Sequence, residues 1–445
     1  MPTQRVVSIA QSVLFATRHL VPFQLRLRRR LALVLGLLIC LSGGAAWNIS
    51  REAVQIIGRD TAPSIVAAQN IRATLADAHT QVIDAFLHPD AAGQPNVGSF
   101  HQAIARVSQH LVFVAENITY GEDEREPIRQ TITELAEYQR LVGMALAQNG
   151  DRRLLMQADK LMRENILPQA QAVEMTNLKY LRQSYHEDLM YAWYAKYAFI
   201  AAVVLQLMLM METQIFMASR FRRMLSPMLL MGMAALAVSG LGFIFDCSDI
   251  GNDMRTAKED AFGSVYALSS ALAWTSIANS HVSAYLLASS SDDRAEQETL
   301  YRDAAARIYA KQDAQSSSTQ FRGEGLLGPM MRDRAISRPM ADVQLEWRRY
   351  LALNEQVFAL AREGRTAQAA ALSLGNGPGQ TDGAYAKTIA ALQTVQNDKQ
   401  QVFERAIRNA EADVARLWKM LLAVLVAAFV GMGLGLQPKL TELRE

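Results

Sequence analysis

With two cysteines in 445 residues, Cys40 inside one apolar run and Cys247 just outside another, the chain has no disulfide framework. Any part outside the cytoplasm must be held by ordinary core packing, and helices are the expected means. Catalytic patterns are missing too: no GxSxG, no HExxH, no Gly-rich phosphate loop and no cysteine pair at metal spacing. The seven histidines (His19, His79, His88, His101, His110, His186, His281) never fall three or four apart, so none makes a helical ligand pair. They read as solvated or interface side chains. An excess of one charge is absent as well, with 45 Lys+Arg against 43 Asp+Glu. That balance gives no general attraction to nucleic acid, and no basic run with interleaved aromatics suggests a specific one. The expectation is a non-enzyme without cofactor, metal or nucleic-acid partner.

Long apolar runs are what the chain does contain. Half of its residues are hydrophobic, yet the mean hydropathy is only +0.02, so a few spans must coexist with large polar parts. Four runs of roughly 17–25 residues lie at 31–47, 194–218, 228–246 and 417–436, each able to cross ~30 Å of hydrocarbon. Between the middle two stand only residues 219–227, with Arg220, Arg222 and Arg223 and no acid. The first 30 residues hold six arginines and no acid. Both stretches are expected in the cytoplasm, which returns both termini there, including the tail 437–445. The run 31–47 is expected to be a retained span, although Gly44-Ala45-Ala46 resembles a cleavage site. Val6–Leu20 reads as an amphipathic helix on the cytoplasmic leaflet or as a disordered basic tail. The expected location is the bacterial cytoplasmic (inner) membrane.

Residues 48–193 and 247–416 carry helical periodicity. Ala68, Ile71, Leu75, Ala78, Val82 and Phe86 form one buried stripe, followed by a turn-rich break at Pro89–Gly98. Helices are expected over Phe100–Ile118, from Glu122 to Asn149, and from Asp151 into the second span, with a kink at Pro168. The acids Glu122, Asp123, Glu124 and Glu126 suit a helix start, and a cation is the alternative. In the second stretch, Asp260–Leu287, Arg294–Ala310, Ala341–Arg362 and Arg365–Arg416 follow the same plan, with Gln312–Pro339 as a long loop. The expected fold is all-α: four transmembrane helices and two extracytoplasmic antiparallel four-helix bundles continuous with the spans. A slide of 199 residues lays Ala85-Phe86-Leu87 on Ala284-Tyr285-Leu286, and Tyr138 and Tyr350 both precede a glycine by about a dozen residues. The halves read as a duplication.

Three places remain where side chains suggest a role. The methionines crowding the central hairpin (Met208, Met210, Met211, Met217, Met224, Met228, Met231, Met233) read as apolar packing rather than a copper path. Glu212 is an ionisable group inside the second span, expected to snorkel toward Arg220 or Arg222 or to take part in interhelical signalling. With Arg220, Arg222 and Arg223 it forms the candidate effector-coupling set. Arg72 and Arg163 are weak candidates for ligand binding.

Each polar stretch resembles the four-helix sensor domain of bacterial methyl-accepting chemotaxis receptors. The likeness is clearest in Trp347-Arg348-Arg349-Tyr350-Leu351-Ala352-Leu353, the break at Gly364 and the helix leading into Leu417–Leu436. The linker and signalling domains of those receptors are missing. As a whole the chain is similar to the GlnX-type membrane proteins of actinobacteria, through Phe221-Arg222-Arg223-Met224-Leu225-Ser226-Pro227 and Gly435-Leu436-Gln437-Pro438-Lys439-Leu440. That resemblance implies an extracytoplasmic glutamine- or glutamate-binding lipoprotein as one partner and a cytoplasmic Ser/Thr kinase or other effector as the other. A homodimer and a purely structural membrane scaffold are the further arrangements open at this stage.

Overall fold

A computed structural model describes residues 3–87, 98–148, 151–221, 226–309, 325–331, 337–375, 377 and 379–442. Every regular element among them is helical. In chain order they are α1 (Thr3–Gln55), α2 (Ala62–Leu87), α3 (Gly98–Glu116), α4 (Glu122–Ala147), α5 (Arg152–Leu161), α6 (Leu167–Phe221), α7 (Pro227–Arg255), α8 (Gly263–Leu287), α9 (Ser291–Ile308), α10 (Gly328–Met331), α11 (Ser337–Arg362), α12 (Thr366–Ser373) and α13 (Thr381–Glu442). Four helical stretches are long and apolar enough to cross a membrane: Phe23–Leu87, Met190–Ala218, Pro227–Leu287 and Thr381–Gly431. Most of the expected 312–339 loop lies outside the described residues; α10 falls within it.

Local chemistry explains several boundaries. Asp151 caps α5, its carboxylate accepting from the Arg153 amide at 2.8 Å, and Ser290 caps α9 by accepting from the Asp293 amide at 3.0 Å. Glu124, in the first turn of α4, is fully buried. Its carboxylate accepts from the Thr119 and Tyr120 amides (2.8 and 2.7 Å) and from Asn177 (2.6 Å). Here the acidic cluster works as a cap, satisfying orphan amides at the helix start. Three π-helical segments interrupt the long helices, at Ile56–Thr61, Met162–Ile166 and Thr256–Phe262. The first two stand directly before Pro63 and Pro168. A proline lacks an amide hydrogen and collides with the carbonyl four residues back, and a wider turn relieves both problems. The irregularity expected at Pro168 thus takes the form of a π segment.

The chain divides into two compact units. One holds Met1–Gln55, Ser184–Arg255 and Ala406–Glu445, and so carries the apolar parts of α1, α6, α7 and α13. These close a ring. Trp47 meets Trp418 (centroids 5.0 Å), Phe199 meets Phe243 (4.1 Å), and Gly43 of α1 lies against Phe199 of α6. Gly232 of α7 faces Gly431 of α13 so closely that a Cβ on the former would sit 2.6 Å from the latter's Cα. Small residues permit such approach where lipid supplies no hydrophobic drive between helices. Inside this unit Gln206 is fully buried, with no hydrogen-bond partner among the described residues.

The other unit comprises Ile56–Gln183 and Thr256–Arg405. Residues that the sequence assigns to two bundles share one continuous core here, running from Ile71, Leu75 and Leu135 to Leu268, Trp347 and Phe358. Its axis is the pairing of α2 with α8. α2 is rich in alanine and α8 in alanine and serine, and both are buried on nearly every face, α8 from Leu268 to Tyr285 with Trp274 partly exposed. Small side chains let two such helices lie close, and the larger residues of α3, α4, α9 and α11 close the outside.

Candidate functional site

Polar side chains are threaded along this α2–α8 seam. Gln69 donates to Ser270 at 2.7 Å, and Asp84 accepts from Ser283 at 2.7 Å. Between them, Tyr385 of α13 bonds to Ser276 at 2.9 Å and to Asp77. The partners ascend together in sequence, so α2 and α8 run parallel. Asp84 and Ser283 are 199 residues apart, the same offset that aligns the two halves of the sequence.

The most connected polar group is Asp159 of α5, only 3% exposed. Its Oδ1 accepts from His79 Nε2 at 3.0 Å and its Oδ2 from Gln297 Nε2 at 2.8 Å. With the Gln297 amide donating, its Oε1 must accept from His281 Nδ1, at 2.8 Å. His79 Nδ1 is then free to accept the Tyr138 hydroxyl, at 3.1 Å. The tautomers follow from this network. One chain of bonds therefore joins α4, α2, α5, α9 and α8, and crosses between the halves at Asp159–Gln297. Burial opposes the Asp159 carboxylate, but the hydrogen bond from His79 and the nearby Arg163 guanidinium help to hold its pKa below the ordinary aspartate value. Burial also pushes the His281 imidazole down, keeping it neutral, against the upward pull of Gln297 and Asp159.

A second polar cluster lies toward the start of α2. Arg72 pairs with Glu174 at 2.7 Å, and both side chains are about 3% exposed. Glu174 also accepts from Gln69 at 3.0 Å, and the Arg72 guanidinium lies 4.9 Å from the Trp274 ring centre. The Arg307 guanidinium also lies over that ring, 4.3 Å from its centre. An arginine so engaged is a structural ion pair across α2, α6 and α8.

The sequence-derived candidates are therefore scattered. Arg72 is sealed in this cluster. Arg163 lies beside the Asp159 network, 3.9 Å from that carboxylate and 3.0 Å from Glu296 of α9, so it bridges the two halves. Glu212 pairs with Arg28 of α1 at 2.7 Å, and that guanidinium also rests 4.1 Å from the Phe216 ring centre. Its partner is thus the amino-terminal arginine cluster, whereas the sequence pointed to Arg220 or Arg222. Arg222, Arg223 and the side chain of Arg220 lie outside the described residues. His79, Asp159, Gln297 and His281 were not foreseen. They are drawn from four helices 16 to 138 positions apart along the chain, and no local pattern marks them.

Among known protein families, the model described as "Actinobacterial sensor domain" matches residues 53–186. No curated protein and no solved structure matches the chain. The matched stretch contains α2 to α5 and the polar part of α6, including His79, Tyr138, Asp159, Arg72 and Glu174. Residues 53–186 are thus similar to an actinobacterial sensor domain, and a sensing or signalling role is what that likeness indicates.

Proposed function

We propose that the protein is a non-enzymatic transmembrane sensor or relay that passes an extracytoplasmic signal to a separate cytoplasmic effector. The observation that carries this reading is helix continuity. All four helices with apolar, membrane-length segments run on, through π segments or unbroken, into the polar helical unit. A shift of ~1–2 Å along or across such a helix is transmitted as a rigid displacement rather than lost in a loop. In this reading residues 219–227 and the amino-terminal arginines face the cytoplasm, and the polar unit stands outside. The inner partner is a Ser/Thr kinase or comparable effector, and the outer one a solute-binding lipoprotein, as the resemblance to GlnX-type proteins implies.

The parallel α2–α8 seam gives the duplication a physical role. Two copies of one bundle pair their first helices as a two-fold dimer would, within a single polypeptide. This seam therefore needs no second chain. The test is capture from membranes of the chain with Arg222→Glu and Arg223→Glu. Loss of a cytoplasmic partner, with insertion and unfolding temperature unchanged, supports the relay. Capture of the same partners by the variant sinks it and leaves the scaffold reading.

A further inference from the structure

Where α2 begins, the polar unit forms a half-open pocket of about 320 Å³, with Phe113 exposed. This is at the lower end of the ~300–1,000 Å³ typical of small-molecule sites. Its walls come from both halves. Val66 of α2 and Phe113 of α3 face Phe262, the last residue of the third π segment, and Phe403 of α13. Ala62 and Pro63, the first residues after the first π segment, complete the floor.

No Lys, Arg, Asp or Glu lines this space. A zwitterion or an anion would leave its charge unpaired there, at a cost far above any gain from burial. The walls nevertheless carry hydrogen-bonding capacity that the fold does not use. Asn70 and His110 line the cavity, and neither side chain makes a hydrogen bond among the described residues. Burial and the nearby Arg106 both keep the His110 imidazole neutral, with one donor and one acceptor nitrogen. Gln400 adds an amide on the opposite wall.

We infer that this cavity is a binding site for an uncharged, mainly apolar small molecule, of one or two rings or a short chain, carrying one hydrogen-bonding group for Asn70 and His110. A bare lipid acyl chain fits less well, because it would leave those two side chains without a partner. The position matters as much as the chemistry. A molecule seated here leans on both first helices at the residues where each leaves its π segment. Such segments recur at functional sites because they hold a helix one residue out of regular register. The inference deepens the relay reading by giving the polar unit a ligand of its own, and its test is separate from partner capture at the arginine loop. Failure of one leaves the other intact.

The test uses the full chain in lipid nanodiscs with indole, an uncharged ring with one N–H donor. Hydrogen exchange should slow, saturably, at amides within 56–70, 256–266 and 400–405 and not elsewhere. Val66→Trp, which fills the cavity, should abolish that protection; if this variant does not fold, Phe113→Trp at the wall is the substitute. Asn70→Leu should weaken indole by about tenfold, the cost of one hydrogen bond. Equal protection in wild type and the filled variants, protection spread over the whole chain, or none in a wild-type protein of normal unfolding temperature would each overturn the inference. So would protection of those segments without indole that disappears on delipidation, which would assign the space to lipid.

Discussion

The two halves of the polar unit use one device in two chemistries. In the first half the Tyr138 hydroxyl meets His79 of α2; in the second the Tyr350 hydroxyl donates to Asn279 of α8 at 3.1 Å. Around Tyr138 the surroundings are ionisable: His79, then Asp159, then Arg163. Around Tyr350 they are aromatic. Trp347 stacks on it at 5.3 Å, Tyr301 lies 6.5 Å away, and Tyr301 and Tyr285 both make edge contacts to Phe358 (5.1 and 4.8 Å). One tyrosine–helix anchor is thus surrounded by a charge network in one copy and by close-packed rings in the other. Aromatic packing is permanent, whereas a charge network responds to protons and partners. The family match covers only the ionisable half.

Substitutions can break this contrast. The largest effect is expected from Phe358→Ala, which empties the centre of the aromatic cluster and should cost ~3–5 kcal/mol, read as a lower unfolding temperature at every pH. Asp159→Ala should cost a comparable ~3 kcal/mol, because Gln297 and His79 lose their buried acceptor. Its signature differs: in the wild type this carboxylate titrates below its unfolded value, so its contribution is present above pH ~4 and lost as pH falls through the folded pKa. The alanine variant should therefore flatten the acid limb of the stability profile, while Phe358→Ala leaves it unchanged.

A smaller change, ~1–2 kcal/mol, is expected for His79→Asn, which writes the second half's amide into the first and loses one end of the network. Asp84 sharpens the comparison from the other side of the pH scale. Burial and the neighbouring Asp382 push its carboxyl up to about 8, against the Ser283 hydroxyl, which lowers it. The unfolded chain then releases this proton near pH 4 and the folded chain near 8, so stability falls as pH rises through that window and levels above it. Asp84→Asn should remove the slope, as measured by unfolding at pH 5, 7 and 9. At the bottom of the scale, Arg140→Ala removes the exposed pair with Glu137 and an exposed contact to the Met144 sulfur, and should leave the unfolding temperature where it is.

Much of the helical frame was legible because it rests on local rules. The apolar runs, the stripe from Ala68 to Phe86, the acidic start at Glu122 and the break at Gly364 (φ +80°) all reappear as elements or boundaries. The Asp84–Ser283 contact also carries the 199-residue offset at which the sequence halves align. The candidate site was much less legible. Arg72 and Arg163 were weak candidates for ligand binding and are engaged with Glu174 and Glu296. His79, Asp159 and Gln297 carry no periodic signal, because what unites them is a meeting of helices distant in sequence.

The sequence alone therefore determined helix content and four membrane-length apolar segments, because hydropathy and periodicity are sums over neighbours in the chain. Tertiary structure decided that residues 56–183 and 256–405 share one core, that Arg28 is the partner of Glu212, and that a cavity without charge opens beside two π segments. Each of those depends on which side chains arrive together after packing. Burial then fixes whether a charge is paired or expelled.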